Sequence, residues 1–391
     1  MKKPVVLFPY VEAGMGHVAP MRAIATTFKQ LYGDLVECVE TKFYTDGGTP
    51  VLAEFERRMC KSVIDSNRNC LLGFFMSFNM KFWGAKIATA ASANCLKRGA
   101  GKLAVKRMEE LAPDLVMSTH WSTNYFAKKC AANPLTALYC PDARTYPLFN
   151  YPCDLALIPT RAGYEEALKK YRRRYTPENL KCVPALIRGD AFSVTGDKRA
   201  LREKLGLETD KFTVVLVEGG YGIGKMTKIC RRALERDIPV TLVPVCGKNS
   251  ELYNEMQTWK SGKHCTLHPV GFTDALPEYL SAADLFCGKS GANVFAEACF
   301  FGVPQIVTKY ASGVEKLNGE YYVKKIKTAL KIFNAEKVVN KIEEFAATPE
   351  KLAPLKQAAE AQRQNYGAEH TARLIYALLK TRFPQLPDDR S

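Results

Sequence analysis

Residues Gly271–Asn318 read GFTDALPEYLSAADLFCGKSGANVFAEACFFGVPQIVTKYASGVEKLN. The order of features is a turn, a short helix, a strand, a glycine turn, a longer helix and a second strand. Asp284–Cys287 is a short apolar run ending in a turn, and Ala292–Phe301 carries apolar residues at helical spacing. Lys289, Ser290, Gly291 and Ala292 occupy the junction between them. Such a junction aims backbone N–H groups and the positive end of the helix dipole at whatever lies above it, usually an anion. Glu297 projects from the second turn of that helix, where a carboxylate suits hydroxyls next to a bound phosphate. The stretch therefore predicts a nucleotide pocket.

Outward from this stretch, toward the N-terminus, the same strand–loop–helix pattern recurs. Phe212–Val217 is a strand candidate followed by Glu218-Gly219-Gly220-Tyr221-Gly222-Ile223-Gly224, with four glycines in seven residues directly before a helix. That loop reads either as a phosphate cradle or as a flexible β–α turn. The Lys-Ser/Thr of a P-loop is missing, which argues against ATP hydrolysis of that type. Val240–Val245 is the next strand. Upstream, the chain turns polar around Arg172-Arg173-Arg174, and a boundary near residue 190 divides it into domains 1–189 and 190–391.

The N-terminal half alternates strands and helices in the same way. Pro4–Pro9, Leu35–Glu40, Asp114–Thr119, Leu135–Cys140 and Leu155–Pro159 are strand candidates, which predicts a parallel sheet covered on both faces. Between Pro9 and a helical pattern running from Pro20 to about Leu31 lies Gly14-Met15-Gly16-His17. In open α/β sheets ligands bind in the crevice beyond the strand ends. His17 stands there, and so does His120 in the polar loop after Asp114–Thr119, while Asp142 follows Leu135–Cys140. Each histidine reads from spacing alone as a loop or buried residue as readily as a catalytic one.

Between the second and third strands lies CLLGFFMSFNMKFWGAKIATAASANC, starting at Cys70. Leu71, Phe74, Phe75, Phe78 and Phe82 recur at helical spacing with Trp83 alongside, and Lys97, Arg98, Lys102, Lys106 and Arg107 follow before the next acid, Glu109. An aromatic face next to a basic cluster is the composition of a helix lying in a membrane interface. A core helix packed on the N-terminal sheet is the competing reading.

Composition narrows the class. With 391 residues, 47% hydrophobic and 25% charged, the chain is long enough for two globular domains, and no run approaches a membrane span. The thirteen cysteines are scattered with no C-x-x-C pair, which excludes a zinc-ribbon pattern and points to reduced thiols and a cytoplasmic location. The 56 basic against 40 acidic residues give a charge of +16, and without a recognised nucleic-acid module this favours an anionic membrane surface over nucleic acid.

Two β/α halves, each with a glycine loop, resemble the GT-B glycosyltransferases. More narrowly, the chain is similar to the monogalactosyldiacylglycerol synthases and processive diacylglycerol glucosyltransferases, with the peptidoglycan-precursor N-acetylglucosaminyltransferase as a wider relative. The resemblance implies an α/β fold of two Rossmann-like β/α/β domains facing a central cleft, an N-terminal one for the acceptor and membrane, a C-terminal one for a UDP-sugar. The last helices are expected to pack back toward the N-terminal domain. It further implies that His17 is the general base on an acceptor hydroxyl and that Gly16 beside it is a donor-binding residue. Gly219, Gly220 and Gly222 would approach the donor diphosphate, and Phe272 with Thr273 would hold the uracil. Ser290, Gly291, Ala292 and Asn293 would line the diphosphate turn, Glu297 would bind the ribose, and Glu315 with Asn318 would meet the sugar. Val294 stands where the family has Thr or Ser, and Val314 where it has Gln, which leaves the identity of the sugar open. His120 and Asp142 are acceptor-side candidates.

The expected activity is inverting transfer of a hexose from a UDP-sugar, which is a substrate, to diacylglycerol at the cytoplasmic membrane face. No D-x-D sequence marks a metal-bound diphosphate site, so neither cofactor nor metal is expected. Transfer of N-acetylglucosamine to a polyprenyl-linked or other hydroxylated lipid is the alternative within the class; a non-catalytic nucleotide-sugar binder is the alternative outside it.

Overall fold

A computed structural model describes residues 2–12, 15–68, 99–145, 149, 151–222 and 224–389. The chain divides into two compact units. Unit 1 comprises Met1–Arg188, Ser312–Val314 and Tyr366–Ser391; unit 2 comprises Gly189–Ala311 and Glu315–Asn365.

Unit 1 is built on a six-stranded parallel sheet of β1 (Val5–Tyr10), β2 (Glu37–Lys42), β3 (Leu115–Ser118), β4 (Leu135–Tyr139), β5 (Leu155–Ile158) and β6 (Leu180–Cys182). Their order across the sheet is β2-β1-β3-β4-β5-β6, so the chain leaves β1 in one direction for β2 and returns on the other side for β3. The direction of winding therefore reverses between β1 and β3, and this is where an open parallel sheet leaves a crevice at its carboxyl edge. The apolar run Val5–Phe8 makes β1 a central strand because covered parallel strands must bury both faces.

The first helix begins at Met15, five residues before the expected start at Pro20, and runs to Tyr32. Gly16 and His17 thus sit in its first turn instead of a preceding loop. Pro20 lies inside the helix, where its missing N–H would otherwise have bonded the carbonyl of Gly16. Met21, Ile24, Phe28 and Tyr32 of this helix pack with Val6, Phe8, Leu115 and Met117 of the sheet and with Ile375, Tyr376 and Leu379 of the helix Glu369–Lys380. Fully burying side chains of this size stabilises by roughly 1.5–3 kcal/mol each. The Tyr32 and Tyr376 rings stack with centroids 4.0 Å apart. The polar residues after this helix are held: Tyr376 donates to the Pro387 carbonyl at 2.8 Å, Arg373 pairs with Asp389 at 2.9 Å, and Tyr32 donates to Asp389.

Unit 2 repeats the architecture with β7 (Phe212–Val217), β8 (Val240–Val245), β9 (Thr266–Leu267), β10 (Leu285–Lys289), β11 (Gln305–Lys309) and β12 (Ala329–Lys331), ordered β12-β11-β10-β7-β8-β9 and parallel throughout. Here the reversal falls between β7 and β10, which lie side by side with Val217 opposite Gly288. Leu71, Phe74, Phe75, Phe78, Phe82 and Trp83 lie outside the described residues. The helix Ala100–Glu110 after them buries Ala104 and Met108 and exposes Lys102 and Lys106. Among the described residues no helix is long and apolar enough to cross a membrane, and no cluster of His, Cys, Asp or Glu has the arrangement of a metal site.

Candidate active site

In unit 1 the crevice between β1 and β3 brings two histidines together. His17 Nδ1 lies 2.7 Å from the Thr119 carbonyl, and the Thr119 hydroxyl donates to the His17 carbonyl at 2.8 Å. A carbonyl only accepts, so the ring proton belongs on Nδ1 and Nε2 keeps its lone pair. Burial lowers the pKa of His17 from its usual 6.5, against the opposing pull of the Thr119 carbonyl. Near neutral pH the residue is an uncharged base with one free nitrogen.

His120 is fixed the other way round. It caps the helix Trp121–Ala127, its Nδ1 accepting the Ser122 backbone N–H at 3.3 Å and lying 2.8 Å from the Ser122 hydroxyl. That hydroxyl in turn accepts from Tyr44 at 2.7 Å. With Nδ1 an acceptor, the proton of the neutral ring is on Nε2. Burial, and then the neighbouring His17, hold the His120 pKa well below 6.5. The two rings meet edge to face with centroids 4.9 Å apart, and Phe149 stacks on His17 at 6.3 Å. One imidazole thus offers a bare nitrogen beside another that offers N–H. Asp142 is buried past β4, one strand further along the sheet.

In unit 2 the loops after β7 and β10 emerge next to each other. Gly219 has φ +77°, and a Cβ there would come within 2.5 Å of Lys289 Cε; Gly222 has φ +60°. A Cβ at Gly222 would also come within 2.9 Å of Leu252 Cδ2, so both positions favour glycine on two counts. Gly291 is the N-cap of the helix Ala292–Phe300, it has no side chain with which to cap the helix, and a Cβ there would meet open space. A glycine-capped helix end with room above it receives an anion readily. Ser290 is buried and donates to the Glu315 carbonyl at 2.7 Å, so its hydroxyl braces the turn. The carboxylate of Glu315 pairs with Lys289 at 3.1 Å and accepts the Ala311 N–H at 2.7 Å. Asn318 is buried on the same helix, and Asn293 and Val294 are half-buried at the start of theirs. Glu297 is wholly enclosed. Phe272 is 62% exposed with the Lys248 ammonium 5.9 Å from its ring centre, and Thr273 accepts the Ala275 N–H at 3.0 Å.

Glu218 is the residue that sequence reasoning passed over. It opens the glycine loop yet is only 2% exposed. Its Oε1 accepts from the Thr308 hydroxyl at 2.7 Å and from the Lys225 N–H at 3.2 Å, while Oε2 is buried and has no hydrogen-bond partner among the described residues. Burial raises its pKa, against the pull of Thr308, Lys225 and Lys289. The sequence signal was present, an acid inside a glycine run, but only the sheet order shows that β11 supplies Thr308. Tyr44 and Thr119 were missed for the same reason.

Residues 224–371 match the family model for the Glycosyltransferase family 28 C-terminal domain. The processive diacylglycerol beta-glucosyltransferase of Bacillus pumilus is 28% identical over 194 residues, 50% of this chain and 48% of its own. The probable monogalactosyldiacylglycerol synthase, chloroplastic, of Nicotiana tabacum is 23% identical over 338 residues, 82% of this chain and 60% of its own. The chain thus spans less than two thirds of the length of either relative. Among solved structures, the S. aureus MnaA-UDP co-structure superposes with a TM-score of 0.59 at 14% identity, covering 100% of both chains. The two six-stranded parallel sheets are those of the GT-B fold.

Proposed function

We propose that this chain, which carries a glycosyltransferase family 28 C-terminal domain on a GT-B fold, transfers a hexose from a UDP-sugar to the hydroxyl of a lipid, diacylglycerol above all, with inversion at the anomeric carbon. The observation that carries the proposal is the tautomer of His17. A base needs a free lone pair near neutral pH, and the Thr119 carbonyl leaves Nε2 free for that purpose. In the reaction the acceptor oxygen attacks the anomeric carbon as its proton passes to His17 Nε2. The bond from that carbon to the diphosphate breaks, and the electron pair leaves with UDP. The growing charge would be met by N–H groups at Gly291–Asn293 and along Gly219–Gly222, which are in place before the reaction begins. Relatives named for diacylglycerol glycosylation support the acceptor class. A cytoplasmic, membrane-peripheral location fits the +16 charge and the aromatic stretch from Leu71 to Trp83.

The deciding experiment supplies UDP-glucose, UDP-galactose and UDP-N-acetylglucosamine with vesicles containing diacylglycerol and an anionic lipid, and looks for glycolipid by mass spectrometry. A glycolipid formed by the wild type and lost in His17→Ala, with donor binding retained, is the expected result. Donor binding without transfer to any lipid would overturn the proposal in favour of a nucleotide-sugar binder.

A further inference from the structure

Glu218 has no part in the chemistry above, yet it lies beneath the loop assigned to the donor. A Cβ on Gly224 would overlap Glu218 Oε2, so the unpartnered oxygen packs against the far end of the same glycine loop that Glu218 opens. The nearest cations among the described residues are engaged elsewhere. Lys289 on β10 is paired with Glu315 of the helix Gly313–Glu320, and the ammonium of Lys225, just before the helix Met226–Glu235, donates to the Phe333 carbonyl. Another titratable neighbour is Cys287 on β10, a buried thiol that burial keeps protonated. From β11 come the Thr308 hydroxyl, a donor to the already satisfied Oε1, and next to it Lys309, which lies in register with Lys289.

An ionised Glu218 would therefore place a bare anionic oxygen in the interior, directly under a loop that receives two more negative charges when a donor binds. Lys289 and Glu315 neutralise each other and supply no surplus positive charge. The protonated acid removes the conflict, with Oε1 still accepting both its hydrogen bonds as the carbonyl oxygen. We infer that Glu218 is a donor-site residue that admits the diphosphate only in its neutral, protonated form, so that a sugar nucleotide binds together with a proton taken from solvent onto Oε2. The inference rests on the donor reading proposed above and adds to it a requirement for one proton.

The test is calorimetric titration with the same three sugar nucleotides, in pairs of buffers differing in ionisation enthalpy, between pH 5.5 and 8. A sugar nucleotide suits this better than UDP because its diphosphate is esterified at both ends and keeps a constant charge over the range. The wild type should take up a proton over part of this window, its affinity falling by as much as tenfold per pH unit where uptake is greatest. Glu218→Gln keeps an oxygen acceptor for Thr308 and Lys225 and should bind with no uptake and a flat profile. Thr308→Val removes a donor that favours the ionised form, so it should move the window to higher pH; it also decides the matter if Glu218→Gln does not fold. Binding without proton uptake by the wild type, or an unchanged profile in the folded Glu218→Gln or Thr308→Val protein, overturns the proton coupling and leaves the donor reading standing. No binding of any of the three nucleotides overturns both.

Discussion

The two units share a topology and oppose each other in chemistry. Each is a six-stranded parallel sheet with one reversal of winding, between β1 and β3 in the first and between β7 and β10 in the second. At the first reversal stand two neutral imidazoles fixed by backbone and hydroxyl partners. At the second stand glycines, a glycine-capped helix end and a paired Lys289–Glu315 couple. The fold supplies a crevice in both places and leaves its use to a handful of side chains. Proton transfer needs a nitrogen whose tautomer is fixed, which requires large side chains with defined partners. Holding a diphosphate needs backbone that comes close, which requires the lack of side chains.

Breaking the first crevice should have the larger effect. His17→Ala is expected to lower kcat by about 10²–10⁴-fold, the usual contribution of a positioned base, with the donor dissociation constant unchanged. Rates within threefold of the wild type would show that the two crevices do not divide the work as described. The second crevice breaks through Gly224→Ala, whose methyl group must displace the Glu218 carboxyl from Thr308 and Lys225. Overpacking of this kind costs about 1–3 kcal/mol. Urea unfolding should register that loss, and adding Glu218→Ala should recover part of it because the two positions touch. Additive penalties would mean that the overlap is relieved elsewhere.

A finer probe is Tyr44→Phe, which deletes the hydroxyl donating to Ser122 Oγ and leaves the Ser122 hydroxyl to hold His120 Nδ1 without that support. The loss of one such hydrogen bond is worth about 0.5–1.5 kcal/mol, so kcat should drop by roughly 2–10-fold without a change in donor affinity. The most gradual effect is that of pH on unit 1. Both imidazoles titrate below 6.5 in the folded protein and near 6.5 once unfolded. Between those values the unfolded chain binds more protons, so their contribution is complete above about pH 6.5 and declines as the pH falls below it. Thermal unfolding between pH 5 and 7.5 should show the decline, and His120→Asn should flatten it; a profile insensitive to that change would place the origin elsewhere.

Much of this contrast was legible before any coordinates. Phe212–Val217 and Val240–Val245 are strands over the residues that their apolar runs mark, and the helix after Ser290 follows from its spacing. Strong periodicity and buried parallel strands leave a chain few options. What escaped was of two kinds. Two- and three-residue strands such as Thr266–Leu267 and Ala329–Lys331 are too short for a period to show. Contacts such as Tyr44 with Ser122, 78 residues apart, exist only once the sheet order is known. The early start of the first helix was hidden by Gly16 and Pro20, which by local rules belong outside a helix and here lie within one.

The helix Glu369–Lys380 completes the core of unit 1, against Phe28 and Tyr32, but the ribosome makes it after all of unit 2. The N-terminal sheet must therefore wait, with part of its apolar surface uncovered, while the stretch Gly189–Asn365 is made, about ten to forty seconds at ordinary translation rates. Unit 2, contiguous but for three residues, has its whole core to hand first. The order of folding during synthesis is thus expected to run from unit 2 to unit 1, opposite to the order in which the chain begins. A stalled or truncated product lacking the last helix would carry a finished second unit and an unfinished first one.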